Sequence, residues 1–406
     1  MVFPPLRYVQ ATPVEHEGQR LVVLNDPEGI MSDTLAVPMP LYFIMTLIDG
    51  RRDAQGLQQE VAKASGGQMI PTEEIERIVQ ELDSHYLLEN ERAAQRREEL
   101  MREFDLLQTR PAVHAGKAYP DDPEECSRMF AEMFDGLLDG AGARGRPRGL
   151  VLPHIDMRVG GRCLAKGLVT LDPQMPPDLY IILGVAHGFS KNLFTLTDKS
   201  FETPLGLAET DQAAAGRLRE LYGADRLDGQ IVHKLEHSVE FQAVSLRYHH
   251  REAPGFKILP ILCGSLHEIM EDGSLTPREV PEVGEFIEAM RRLIDEHEGN
   301  VCIIASVDLS HVGLKFGDPE GVNENRARDV RSADQRMLDQ IATRDAEGFF
   351  NHFRADANAR NVDAVTSVYV LMHTLGTEGV AEQIDYEQWK EEPTDSIVTY
   401  ASVAIY

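Results

Sequence analysis

The sequence predicts an α/β protein. Its C-terminal part is built on a central, largely parallel sheet flanked by helices, and a small α+β part precedes it. Three observations carry this. Four apolar runs, "RGLVLPHIDM", "DLYIILGVAHGFS", "FKILPILCGS" and "NVCIIASVDLSHVG", recur beyond residue 148. Segments long enough for helical crossovers lie between and after them. A highly charged stretch, "ERAAQRREELMREFDLLQ", separates them from an earlier region with its own apolar periodicity.

In chain order, residues 1–90 form the small part. "RLVVLN" reads as a strand, and "DPEG" is a turn dense in breakers. "PLYFIMTLIDG" has helix character and stops at Gly50. "DAQGLQQEVAKASGG" offers Asp53 as N-cap and Leu57 and Val61 on one face. "PTEEIERIVQELDSHYLLEN" offers Thr72 as cap, with Ile75, Ile78, Val79 and Leu82 at helical spacing, and "YLLEN" reads as a returning strand. Strand, turn, three helices and strand describe a winged-helix-like module. Residues 91–110 read as a solvated linker helix with Leu100, Phe104 and Leu107 as its apolar stripe. Residues 111–406 form the second part. There Asp122 caps a helix, Pro123 takes its first position, and Phe130, Met133, Phe134 and Leu137 face a core.

Continuous Ile/Leu/Val runs bounded by Gly and Ser are what strands buried on both faces look like. "DQAAAGRLRELYG", "GEFIEAMRRLIDEH" and "ADQRMLDQIATRDAEGFF" supply the helices that cover them. Hydrophobic residues make up 42% of the chain, enough for sizeable cores. The formal charge of -27 repels phosphate backbones and excludes nucleic-acid binding as a main role. Cys126, Cys163, Cys263 and Cys302 are widely spaced with no C-x-x-C pair, as suits reduced, buried thiols. "MVFPPLRYVQ" lacks the pattern of a signal peptide, and "LAVPMPLYFIMTLI" is too short to span a bilayer. The expectation is a soluble, cytoplasmic protein with no membrane partner.

Three of the four runs end in histidine: His154, His187, and His311 after Asp308 and Ser310. In open α/β sheets, ligands sit beyond the carboxyl ends of the strands, where several loops converge. Neutral imidazole is the commonest transition-metal ligand. A two-histidine, one-carboxylate site needs an acid, and Asp363 in "ANARNVDAVTSVYVLMHTLG" is the candidate. Asp363 also reads as the N-cap of the helix that follows. "HKLEH", His233 to His237, matches a metalloprotease zinc motif. That motif needs one continuous helix, whereas Ser238 reads as the cap of a helix starting only after it. The protease match is read as accidental.

"LPHIDMRVGG", "IILGVAHGFS", "ETPLGLAETD", "EHSVEFQ" and "ASVDLSHVG", in this order and spacing, resemble the Memo family. Its bacterial and archaeal members are called AmmeMemoRadiSam system protein B, and its fold is shared with class III extradiol ring-cleavage dioxygenases. "RPAVHAGKAYPDDPEE" resembles the family's start and "DSIVTYASVAIY" its end, so the resemblance runs from about residue 110 to the C-terminus. It implies that His154 and His187 bind a divalent metal. It implies that His311 is an acid/base beside it, and that His237 and Glu240 border the same pocket. Asp363 falls where the family usually has a cysteine ligand, and Asp156 also departs from the family pattern. The N-terminal stretches "VVLND", "LIDGRRDAQGLQQEV" and "LDSHYLLEN" resemble PqqD-like peptide-recognition domains, which bind leader peptides beside radical-SAM enzymes.

The leading expectation is therefore a non-haem metal-dependent redox enzyme. Iron(II) is the favoured ion and zinc or copper the alternatives, with catalysis by His311, His237 and Glu240. Two other readings stay open. One is a catalytically silent, metal-free binder of a peptide or a radical-SAM partner. The other is a zinc hydrolase acting on a small molecule or peptide with the same ligands.

Overall fold

The computed structural model describes residues 2–16, 18–31, 34–67, 69–137 and 145–406. The chain divides into two compact units, Met1–Leu107 and Gln108–Tyr406.

Unit 1 opens with strands β1 (Gln10–His16), β2 (Gln19–Asn25) and β3 (Leu35–Pro38), an antiparallel sheet in that order. Helices α1 (Met39–Thr46), α2 (Ala54–Ala64), α3 (Thr72–Ser84) and α4 (Glu91–Leu106) follow. Asp53 caps α2 by accepting from the Gly56 N–H at 2.9 Å, as the sequence predicts. Thr72 does not cap α3; it is the first helical residue, and Pro71 holds the cap position. Among the described residues, the expected strand at "YLLEN" reduces to one bridge between Leu6 and Leu88. β1 and β3 escape sequence reading because Pro13 breaks the first and the second has only four residues. Asp26 in the "DPEG" turn is buried against Arg7 at 2.7 Å and takes the N–H groups of Ile30 and Met31, which fixes the turn. Helix α4 buries Ala93, Leu100 and Phe104, and its Arg97 pairs with Glu28 at 2.6 Å within the same unit.

Unit 2 comprises β4 (Thr109–Arg110), α5 (Pro123–Phe134), β5 (Gly149–Leu152), α6 (Met157–Leu168), β6 (Leu179–Val185), β7 (Phe194–Leu196), β8 (Ser200–Phe201), α7 (Gln212–Tyr222) and α8 (Ser238–His249). It continues with β9 (Lys257–Cys263), α9 (His267–Asp272), α10 (Pro281–Glu296), β10 (Val301–Ser306), β11 (His311–Val312), α11 (Glu324–Thr343), α12 (Ala346–Arg354), α13 (Val365–Leu375), β12 (Ala381–Glu391) and β13 (Ser396–Ile405). Among the described residues, eight strands form one sheet in the order β11-β13-β5-β10-β6-β9-β7, with β12 on β13.

The four runs singled out in the sequence are β5, β10, β6 and β9, and they pair in parallel. Antiparallel β13, β11 and β12 extend one side and β7 the other, so the sheet as a whole is mixed. Side chains alternate across β6. Leu179, Ile181 and Leu183 join one apolar cluster, with α7, α10 and α13; Tyr180 and Ile182 join another, with α5, α6 and α8. Both faces are thus covered, which is why these strands read as continuous apolar runs. All four cysteines are free and buried, and burial pushes the Cys126 thiol up to about 11, so they are packing residues.

Three buried histidines of unit 2 are neutral. His250 donates through Nδ1 to the Pro173 carbonyl and accepts from the Tyr180 hydroxyl at 2.7 Å. His249 donates to the Leu171 carbonyl and His233 to that of Thr195. Burial pushes them down to about 4 (His250 and His233) and about 3 (His249). Unfolded imidazole titrates near ~6.5. Between those values the unfolded chain binds more protons, so this stability is complete above pH ~6.5 and is lost as pH falls through 4. The urea midpoint is expected to drop between pH 7 and pH 5, and less so in His250→Gln. An identical drop in the variant removes His250 from the account.

Candidate metal centre

Strand order explains how residues remote in sequence meet. β10 lies between β5 and β6, with Ser306 opposite Leu152 and Ala305 opposite Leu183. Parallel neighbours in register end side by side. His154 leaves β5, Asp308 leaves β10 and His187 leaves β6, all at carboxyl ends of adjacent strands about 4.8 Å apart. Asp363 arrives from the loop before α13.

Buried His154 holds Nδ1 2.9 Å from the Ser306 carbonyl, which must accept a proton from it. Its Nε2 therefore carries the lone pair in the neutral ring. That nitrogen lies 3.2 Å from Asp363 Oδ2 and 3.7 Å from Asp308 Oδ2. His187 Nε2 lies 3.9 Å from the same Asp363 oxygen, and the two imidazoles stand 5.1 Å apart at 79°. Asp363 Oδ1 accepts the Asp308 N–H at 2.9 Å, while buried Oδ2 has no hydrogen-bond partner among the described residues. Asp308 Oδ1 accepts the N–H groups of His154 and Ile155.

The donor set fits a divalent cation. An unsatisfied carboxylate oxygen facing an imidazole lone pair is repulsive unless a cation stands between them. Two donors about 2.1 Å from one ion are roughly 3–4 Å apart, which matches both contacts of Asp363. Without an ion a proton takes that place. Burial opposes a charged ring, but Asp308 and Asp363 overcome it and raise His154 to about 10. Burial works to raise Asp363 too, and the neighbouring His154 charge reverses it, leaving that carboxyl lowered. Asp308 is raised by burial, which the His154 charge opposes and the neighbouring Asp363 charge reinforces.

Asp363 is not a helix cap. α13 begins at Val365, Ala364 holds the cap position, and neither Asp363 oxygen takes an N–H of the helix. Ser238 is not a cap either. It is the first residue of α8, and its hydroxyl both donates to the Val185 carbonyl and accepts the Val185 N–H, fastening α8 to the end of β6.

His311 joins the rim of the same cavity, which measures roughly 410 Å³ and is walled by Phe316, Trp389 and Val398. Its Nδ1 lies 3.1 Å from the carbonyls of Leu309 and Asn361, so the neutral ring keeps Nε2 as an acceptor. Gly313, at φ +113, lets the chain turn where a Cβ would meet the Ser396 backbone at 2.6 Å. His237 also lines the cavity.

Glu240 does not. Its fully buried carboxylate is consumed by the Arg110 guanidinium, the Tyr119 hydroxyl and the His114 N–H. It braces the pocket from behind rather than lining it. The missed residue is Glu236. Its Oε1 lies 3.1 Å from His187 Nδ1 and 3.2 Å from His237 Nδ1, and the carboxylate takes the N–H groups of His187, His237 and Ser238. A carboxylate adjacent to a cavity histidine was the signal, since ligand imidazoles pass their second N–H to such a group. His233 of the protease-like motif sits in a short 3₁₀ turn, buried away from the cavity.

A family model described as Memo-like protein matches residues 110–404. The chain belongs to the Memo family. A MEMO1 family protein of Aquifex aeolicus is 30% identical over 99% of this chain and 100% of its own length. One of Thermus thermophilus is 28% identical over 83% of this chain and 95% of its own. The Memo relative of Pyrococcus furiosus is matched over 98% of its length but only 73% of this chain, at 28% identity. The Memo match therefore coincides with unit 2, whereas the Aquifex protein is similar across both units. Among the described residues, no helix is long and apolar enough to cross a membrane.

Proposed function

We propose that this Memo protein is a mononuclear, non-haem metal-dependent redox enzyme whose ion is held by His154, His187 and Asp363. The observation that carries the reading is Asp363 Oδ2, buried, without a hydrogen bond among the described residues, and 3.2 and 3.9 Å from the Nε2 atoms of His154 and His187. Two imidazoles and a carboxylate are the donor set of ferrous oxygenases, so iron(II) is favoured. Such an ion supplies a redox-active Lewis acid with open coordination positions.

The protein's own groups do the rest. Leu309 and Asn361 hold His311 in the tautomer whose Nε2 accepts a proton from a bound substrate, making it the general base. Phe316 and Trp389 give a flat apolar group a wall and shed water from it. Glu236 keeps His187 oriented with its lone pair toward the cavity.

The test is metal analysis of protein purified without added metal. Wild type is expected to carry close to one equivalent and His187→Ala less than about a tenth of it. Equal content in both ends the reading. Turnover that needs no oxygen and survives replacement of iron by zinc ends the redox assignment and leaves a hydrolytic site.

A further inference from the structure

We infer that His237 is a fourth protein ligand, so that the ion sits among three imidazoles and one carboxylate. The inference rests on the metal site proposed above and extends it. The ligand atoms of His154, His187 and His237 lie within 4.8 Å of one another. His154 stands 5.1 Å from each of the other two rings, at 79° to His187 and 82° to His237. The His187 and His237 rings are 4.8 Å apart and nearly parallel, at 22°. Both therefore stand nearly perpendicular to the histidine they share.

Their anchoring is also shared. Glu236 Oε1 lies 3.1 Å from His187 Nδ1 and 3.2 Å from His237 Nδ1. Its other demands are met by the N–H groups of His187, His237 and Ser238, which lock its orientation. One carboxylate thus hydrogen-bonds His187 Nδ1 and lies against His237 Nδ1, so both rings carry their Nδ1 edge on the same anion. Carboxylate-anchored imidazole is the arrangement of metal-ligating histidine. His311 differs. Its Nδ1 rests on backbone carbonyls, and among the described residues it belongs neither to the group His154, His187 and His237 nor to the second group that His154 forms with Asp308 and Asp363. The cavity histidines thus divide into three ligands and one acid/base. Donors on one ion stand no more than roughly 4.2 Å apart, so the three rings close on it by side-chain adjustment alone. An octahedral ion so held keeps two open positions rather than three.

The experiment uses full-length protein labelled with ¹⁵N-histidine, freed of metal and titrated with zinc as the probe. Three ring Nε2 resonances are expected to move on zinc addition. His237→Gln is expected to lose one of those three and to bind zinc more than about 100-fold more weakly, beyond the cost of losing an outer-shell partner. His311→Gln is expected to keep all three. Two moving resonances in wild type, with both intact in His237→Gln, overturn the inference while the His154–His187–Asp363 site stands. No moving resonance in wild type overturns the proposed site itself. The wild-type count decides the matter even where the His237 variant fails to fold.

Discussion

Asp363→Ala is expected to lower divalent-metal affinity by more than ~100-fold, while Asp363→Cys keeps stoichiometric binding and shifts preference toward softer ions. Losing an outer-shell partner of a ligand already costs ~10–100-fold, and a ligand atom contributes more. Alanine removes the oxygen that faces both His154 and His187. It also frees the Asp308 N–H that Oδ1 holds at 2.9 Å, so the loop after β10 loses its anchor. Cysteine restores a donor at the position where the family resemblance places one, and thiolate favours zinc and copper(I) over harder ions. Titration calorimetry of the metal-free proteins checks both. An alanine variant within tenfold of wild type would falsify the ligand assignment.

The largest stability effect is expected at Arg110. Its fully buried guanidinium pairs with Glu240, also fully buried. Nε donates to the His233 carbonyl at 3.0 Å, Nη2 to that of Glu236 at 2.6 Å, and Nη1 to that of Pro111 at 2.8 Å. Removing one member of a buried ion pair leaves the other charged and unpaired, at a cost of about 3–5 kcal/mol. Arg110→Met is expected to lose that much in chemical denaturation, and Glu240→Gln added to it to recover part. Because the same guanidinium holds the Glu236 carbonyl, metal affinity should fall in Arg110→Met as well. A loss below about 1 kcal/mol would show that the pair contributes little beyond its hydrogen bonds.

Glu240 shows where sequence reading reached and where it stopped. The "EHSVEFQ" segment reads as bordering the pocket, and it does. Which of its side chains points inward depends on the turn entering α8, where no periodicity applies. With α8 starting at Ser238, His237 and Glu236 fall on the loop side, and Glu240 turns toward Arg110 and Tyr119. Asp308 stands three residues before His311 in the sequence, but its place beside His154 follows only from β10 lying between β5 and β6. Asp363 reads equally well as a cap or a ligand. Only the placement of its two oxygens, one on the Asp308 N–H and one facing His154 and His187, separates the two.

By itself the sequence determined the four parallel strands, the helices that cover them and the residues that follow each strand. Burial on both faces leaves a signature in composition that no neighbour can alter. Tertiary structure alone decided the order of those strands, the distances of Asp363 Oδ2 from His154 and His187, and the contact of Glu236 with two imidazoles. Those outcomes depend on side-chain directions in loops, where local chemistry permits many conformations and long-range packing selects one.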